Sequence, residues 1–539
     1  MKTTDIQRLM GALLLTGIML AGCTKDNTLD EIVNQKEQQT TVNDIVEALQ
    51  AIDGVRNVQM KTTSNGEDTI YFFSYQQLVN HGNPDAGTFD QQVALKFKGF
   101  DKNVVLYTNG YNLSVEAEEY RSTDMATQLD ANQVNVEHRY FGNSQPEMTD
   151  KLEYTYFNAE QQAHDLHAIV QTLKENLFKT GKWVSTGISK DGITTALYAY
   201  YSDLNGWNDI DVFVPFCAPF LPGSTKDGKF SCMDCRTGEY LEQVCGAGYP
   251  EGSEEAKACQ RLYDIAKYIC TNKRVREACN KYVLTSRPTD YRKIVEQYNL
   301  QSPKSTGDLE KDATAMTYTT FYGYLFNKFS YVQFPSWAKL VPDPAVAVND
   351  DDEMDHLCTF ITMDHKMLAD SLKAMSEHDM LTRNDATDAF DKLWYYIKGL
   401  RGDSSQPYDL QAFMELGAAD YGYNTVDGNF LTKEQAKGVN EMFTVQKHFE
   451  GLYYQDQGKL MRNFRQWVAT ESTQNIIFVY AYNDPWTGGR PDDTAVRQNP
   501  KTEMVIDLIA VHNDYFLDKQ LFTTESRTAI INALDRFMK

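Results

Sequence analysis

An α/β fold, with a mostly parallel sheet interrupted by a large helical insertion, is predicted by three features of this 539-residue chain. Strand-length apolar runs alternate with segments of helical spacing up to about residue 219. The alternation then gives way to a long, polar, mainly helical stretch. It returns near residue 471 with two further apolar runs and a closing amphipathic helix. Alternating strands and helices imply a parallel sheet covered by helices on both faces. A chain of this length exceeds one compact core, so about two structural units are expected.

The elements follow in order. "TIYFFSYQQLV" and "FDQQVALKFKGF" are rich in strand formers, and the turn-rich "NHGNPDAGT" separates them. "NVVLYTNGYN" is a continuous apolar run ending in Gly110, as suits a strand buried on both faces. "NQVNVEHRYFG" reads as the next strand. In "AEQQAHDLHAIVQTLKENLF", residues Ala163, Leu166, Ile169, Val170, Leu173 and Leu177 share one helical face. "KWVSTGIS" is then a strand, "KDGITTALYAYYSDL" a helix and "DIDVFVPFCAP" a strand. The insertion contains helical segments such as "EEAKACQRLYDIAKYICTNKRVREACNKYVLTS" and "AFDKLWYYIKGL". "TQNIIFVYAYND" and "EMVIDLIAVHND" restore sheet character, and "ESRTAIINALDRFM" closes the chain. The predicted organisation is a sheet domain over 57–220 and 471–539 with a helical lid at 221–470.

The beginning of the chain reads as a targeting segment. Lys2 and Arg8 precede the short apolar run "MGALLLTGIML", and small residues lead to Cys23 in "LAGC". This pattern resembles the bacterial lipoprotein signal. It implies a signal peptide over 1–22, acylation of Cys23 and a polar tether over 23–56, which would hold a soluble domain at the cell envelope, periplasmic or surface-exposed. The net charge of −23 argues against nucleic acid as a partner. Six of the nine cysteines lie at Cys232, Cys235, Cys245, Cys259, Cys270 and Cys279. In an exported chain two or three disulfides are expected there. "CMDC" has no second such pair and no histidine nearby, so no metal or other cofactor is expected. Cys217 and Cys358 read as solitary buried thiols.

The chemistry centres on "GIS" at the predicted strand-to-helix bend. Small residues are needed at such a bend because the backbone is crowded, and Gly187 and Gly192 flank Ser189. In the α/β-hydrolase arrangement the acid and the histidine follow the serine, each just after a late strand. Asp484 follows "IIFVYAYN", and His512 is the sole histidine beyond it. Ser189 would be the nucleophile, His512 its base and Asp484 the group that orients the imidazole. Backbone N–H groups of Lys190 and Tyr111 are the candidate oxyanion donors. Arg139 is expected to brace the site by hydrogen bonds rather than react. His164 and His167, at i, i+3 with Asp165 between them, suit packing or surface placement better than a metal pair. The acidic "NDDDEMDH" of the insertion is either solvated or available to a substrate ammonium.

The segment "VSTGISKDGITTALYAYYSDLNGWNDIDVFVPFCAP" resembles the nucleophile region of the mycelial-type tripeptidyl aminopeptidases, relatives of prolyl carboxypeptidase and dipeptidyl peptidase 7. "VNVEHRYFGNSQP", "QLVNHGNPDAGTFDQQVAL" and "YAYNDPW" are similar to further segments of that group. The resemblance implies a helical lid over a serine-peptidase site that releases short peptides, tripeptides foremost, from free N-termini. An esterase or lipase on the same triad, and a weakly active or non-catalytic surface binding lipoprotein, are the alternatives. Two departures stand out. Asp191 occupies a position where the group has glycine, and "AVHNDYF" lacks the glycines usual around the histidine. A carboxylate in the first turn brings negative charge toward a developing oxyanion, so Asp191→Gly is expected to raise turnover. The sequence fixes neither the oligomeric state nor the N-terminal residue preference.

Overall fold

The computed structural model describes residues 44–147, 154–220, 244–245, 248–286, 317, 321, 333–362, 411–416 and 458–539. The predicted signal peptide, Cys23, most of the predicted tether, Cys232, Cys235 and "AFDKLWYYIKGL" lie outside the described residues. The chain divides into two compact units, residues 1–49 and 50–539. In the first, residues 44–49 are helical.

The second unit is built on a nine-stranded sheet in the order β1-β2-β3-β5-β4-β6-β7-β8-β9. Its strands are β1 (Val55–Thr62), β2 (Thr69–Leu78), β3 (Thr88–Lys96), β4 (Val104–Thr108), β5 (Asn132–Val136), β6 (Trp183–Ile188), β7 (Val212–Phe216), β8 (Ile476–Ala481) and β9 (Thr502–Asp507). The first three run antiparallel to their neighbours, and β3 pairs antiparallel with β5. The remaining six are mutually parallel. This is the sheet of an α/β-hydrolase with one additional antiparallel edge strand. That strand starts at Val55, two residues before the sheet domain expected from the sequence.

Residue pattern explains the central strands. β5, β7 and β8 are buried at every position, as a strand covered on both faces must be. The main covering helices are α1 (Asp124–Gln128), α2 (Ala159–Asn176), α3 (Lys190–Asn205) and, after the insertion, α9 (Thr524–Phe537). Asn158 and Thr523 cap α2 and α9 by accepting a backbone N–H through their side chains. Gly206 ends α3 in the left-handed conformation (φ 70°), where a side chain would be strained.

The insertion contributes α4 (Glu254–Thr271), α5 (Lys273–Ser286), α6 (Asp351–Thr362) and α7 (Lys459–Thr470); α8 (Asp493–Gln498) follows β8. The stretch read as helical forms two helices, separated at Asn272, whose side chain accepts the N–H of Val275. Leu262, Ile265 and Ile269 of α4 pack with Leu357, Phe360 and Ile361 of α6 in a separate apolar core. Cys245 and Cys259 form a disulfide at its edge. Cys270 and Cys279 are free, and Cys279 lies 3.8 Å from Cys358, so Cys358 is not solitary.

The lid touches the sheet domain at loops that follow parallel strands. Phe334 N donates to Asn483 Oδ1 after β8, and Gln333 Nε2 donates to Ile509 O after β9. Arg465 donates to Phe220 O after β7. Glu415 accepts the Ala159 N–H at the start of α2. Ligands of open parallel sheets bind at this edge.

Candidate active site

Ser189 occupies the one-residue bend between β6 and α3. Its backbone, at φ 59° and ψ −120°, is a conformation that a residue with a Cβ adopts only under constraint. The constraint is visible. Ser189 N donates to Phe216 O at 2.8 Å, and Ser189 O accepts the first helical N–H from Ile193. The two flanking glycines are required by crowding. A Cβ at Gly187 would lie 2.5 Å from the backbone C and O of Asp191. One at Gly192 would lie 2.7 Å from Phe216 O. The strained bend lifts the serine out of the sheet at the C-terminal end of β6.

Asp484 and His512 come together from the ends of β8 and β9. His512 Nδ1 lies 2.7 Å from Asp484 Oδ2, with both side chains buried. The other carboxylate oxygen accepts Trp486 N–H at 2.9 Å. A carboxylate on Nδ1 selects the imidazole tautomer whose basic nitrogen is Nε2, as a general base requires. The loop carrying His512 is held by Asp507 at the end of β9. Its Oδ1 accepts the N–H groups of Ile509 and Ala510, and its Oδ2 accepts the N–H and the hydroxyl of Thr523. Asn483 ties the acid loop to the same turn, donating from its backbone to Ala510 O and from its side chain to Leu508 O. Neither Asp507 nor Asn483 was singled out from the sequence. Their signal was only that a strand ended in a polar residue.

Cys217 was also missed as a neighbour of the site. It is a free, buried thiol directly after β7, with a positive φ of 46°. Donor atoms of Cys217, Asp484 and His512 all lie within 4.8 Å of one another. Such a trio could hold a soft metal ion, but the aspartate–histidine hydrogen bond already accounts for two of its members.

Asp191 has a different role from the one read in the sequence. Its Oδ2 accepts the Tyr107 hydroxyl and its Oδ1 the Gly110 N–H, each at 2.5 Å. Its carbonyl oxygen accepts Thr108 Oγ1 at 2.9 Å. The carboxylate therefore fastens the loop after β4 to the nucleophile bend. The approach is so close that a Cβ on Gly110 would lie 2.7 Å from Asp191 Oδ1. Burial raises the Asp191 carboxyl to about 6, opposed by these hydrogen bonds and by Lys190. Burial also pulls the Lys190 ammonium down to about 7, opposed by Asp191 and Glu415.

Lys190 opens α3, so its N–H has no acceptor within the helix and suits the first oxyanion donor. Its side chain turns into an aromatic box, with Nζ 5.9 Å from the Tyr111 ring centroid and 5.6 Å from that of Phe141. Tyr111, the second candidate donor, follows the Gly110 N–H that Asp191 holds. Its carbonyl oxygen accepts His138 N–H.

Arg139 is fully buried and forms a two-pronged pair with Asp165, at 2.7 and 2.6 Å. It also donates to the carbonyl oxygens of Leu78, Val79 and Tyr156. It thus braces the end of β5 against α2. His164 and His167 are occupied by packing: His164 stacks on His81, and His167 stacks on Trp207 at 4.0 Å and bonds to Asp209. In the acidic lid segment, Asp351 pairs with Arg274, and Glu353 accepts the Asp343 N–H.

A cavity of about 290 Å³ opens beside the bend. Tyr107, Asn112, Arg121, Asp124, Phe216 and Tyr515 line it. Ile188, immediately before the serine, and Asp514, two residues past the histidine, also line it.

The bend, the buried acid–histidine pair and the parallel sheet are the parts that a serine hydrolase uses. The profile of the PS-10 peptidase S37 family matches residues 38–242, which include Ser189. Over 165 residues the chain is 33% identical to a prolyl tri/tetrapeptidyl aminopeptidase of Streptomyces mobaraensis, covering 30% of this chain and 32% of that protein. It is 25% identical over 217 residues to the serine protease vicPa of Bipolaris victoriae (strain FI3), covering 36% and 40%. The chain thus spans about a third of the length of these curated relatives. A rice cell wall degrading esterase from Xanthomonas oryzae aligns over 90% of this chain and 99% of its own, at 10% identity and a TM-score of 0.35. The family match agrees with the resemblance read from the sequence over residues 38–242 and does not reach Asp484 or His512.

Proposed function

We propose that the protein is a serine exopeptidase that releases short peptides, tripeptides foremost, from free N-termini. The observation that carries this reading is the buried Asp484–His512 pair at 2.7 Å, set two strands from a serine whose backbone is held in a strained bend. Attack of Ser189 on the scissile carbonyl, with His512 taking its proton, forms an acyl-enzyme and frees the remaining chain as the amine. Water then releases the short peptide. The first-turn N–H of Lys190 faces developing charge on the carbonyl oxygen. Similarity to aminopeptidases favours peptides over esters. The cavity between Tyr107 and Tyr515 is the space in which substrate side chains would lie. We further infer from "LAGC" that acylation of Cys23 holds the enzyme at a bacterial cell envelope.

A fluorophosphonate probe tests the reaction class. Labelling should map to Ser189 and vanish in Ser189→Ala without loss of the folded melting transition. Label on a different serine would remove the basis of the proposal. A panel of peptidyl-coumarins beside short-chain esters then separates the peptidase from an esterase on the same residues.

A further inference from the structure

Glu137 directly follows β5, and it is fully buried. Taking a carboxylate out of water is costly unless donors receive it. Four hydrogen bonds do so here. Oε1 accepts the Leu113 N–H at 2.7 Å. Oε2 accepts the N–H groups of Asn143 and Ser144, at 3.0 and 2.8 Å, and the Ser144 hydroxyl at 2.6 Å. The chain curls tightly to bring the last three donors in, with positive φ at Tyr140 (67°) and Gly142 (47°). A Cβ on Gly142 would lie 2.1 Å from Glu137 Oε1, so the turn admits only glycine. The residue is also anchored to β3. Glu137 N donates to Gln92 O, Gln91 Nε2 donates to Glu137 O, and Gln92 N donates to Ser144 Oγ.

We propose that Glu137 is a positioning residue of the catalytic site, tying the loop after β4 to the rigid end of β5. That loop carries Tyr111, the second candidate oxyanion donor, between two carboxylate contacts. Asp191 holds the Gly110 N–H on one side, and Glu137 holds the Leu113 N–H on the other. His138 N, next to Glu137, donates to Tyr111 O at 3.3 Å and adds a third tie from the same stretch. The two oxygens of Glu137 serve different loops, a division that one amide oxygen cannot supply. Asn112 and Leu113 also line the cavity beside the bend, so the same tie shapes its wall. This role presupposes the Ser189 nucleophile and the oxyanion donors of the reaction proposed above.

The test uses the full-length protein and a peptidyl-coumarin that the wild type cleaves. In Glu137→Gln the amide oxygen can stay with Asn143 and Ser144 while the amide NH2 faces the Leu113 N–H, so that one tie is lost. Replacing Leu113 by its α-hydroxy acid removes the same hydrogen bond from the other end and keeps the leucine side chain. Both changes are expected to lower kcat about 10-fold with KM within about two-fold, because a displaced oxyanion donor acts in the transition state. Losing a negative charge would by itself favour an oxyanion, so a fall in Glu137→Gln reports position rather than charge. A boronic-acid analogue of the coumarin's peptide becomes tetrahedral when its boron takes the serine oxygen. It should bind both variants about 10-fold more weakly, while the released peptide binds as it does to the wild type. A merely structural role would weaken both ligands or neither. Wild-type kcat and boronate affinity in either variant would overturn the proposal, as would an equal loss for boronate and peptide. If Glu137→Gln does not fold, the Leu113 replacement decides alone. If the fluorophosphonate leaves Ser189 unlabelled in the wild type, the proposed reaction fails and this role with it. Normal labelling beside wild-type kinetics in the variants removes this role only.

Discussion

At the scale of single residues, Asp191 shows how a departure from a family pattern acquires a structural cause. Read along the chain, a carboxylate in the first turn after the nucleophile looks like a defect. In the fold its two oxygens hold Tyr107 and Gly110, so it positions the loop that carries Tyr111. Asp191→Gly is thus expected to reduce kcat, by about 10-fold if the second oxyanion donor is misplaced, rather than raise it. Steady-state kinetics on one peptide substrate decide the sign. The same group has a pH signature. Its folded pKa lies above the ordinary carboxylate value because of burial. Its contribution to stability is therefore full below about 4 and is lost as pH rises through about 6. Asp191→Asn should remove that loss, so the difference in melting temperature between variant and wild type should grow in the variant's favour from pH 4 to pH 7. A constant difference would mean that Asp191 does not titrate in this window.

At the scale of elements, much was legible because periodicity and punctuation agree. β6 and α3 could be placed from "KWVSTGIS" followed by a helical pattern, and β7 and β8 from runs with no polar face. Asp484 and His512 could be named because each ends an apolar run in the required chain order. What joins those ends was not legible. Asn483 reaches Leu508, and Asp507 reaches Thr523, across gaps of many residues, and local pattern carries no information about which loop a side chain will meet. Arg139 shows the same limit. Its position after β5 was clear, whereas its partner Asp165 lies on α2, inside the segment "HDLH" where the histidines drew attention. Their pairing is fully buried. Arg139→Ala would leave the buried Asp165 carboxylate with only His81 Nε2 and Gln91 Nε2 beside it and should cost about 3 kcal/mol, measurable as a lowered denaturation midpoint. Activity per folded molecule should change little, because the arginine's hydrogen bonds run to Leu78, Val79, Tyr156 and Asp165 rather than to Ser189 or His512.

At the scale of the whole molecule, the proposed reading divides the labour among an acyl anchor, the sheet domain and the helical insertion as a lid. Among the described residues no helix is long and apolar enough to cross a membrane. The proposed acylation of Cys23 predicts that Cys23→Ser releases the protein from the membrane fraction with its activity unchanged; continued membrane partition would point to another attachment. The lid bears on substrate choice. It is fastened at the loops after β7, β8 and β9 and at the start of α2. A cover attached at so many points of the C-terminal edge leaves less room for a folded protein than for a chain end. A chain end brings a charged ammonium, and taking it out of water is unfavourable unless a carboxylate or dipole receives it. Glu119, Asp124 and Asp514 border the cavity beside the bend and outnumber Arg121, the cation in its lining. Acetylating the substrate's N-terminus should therefore lower kcat/KM by 10-fold or more, about 1.4 kcal/mol at the least. The loss should appear mainly in KM if the ammonium is held equally in ground and transition states. Equal cleavage of acetylated and free peptides would show that the site does not read the terminus, and an endopeptidase or esterase would then fit the same triad better.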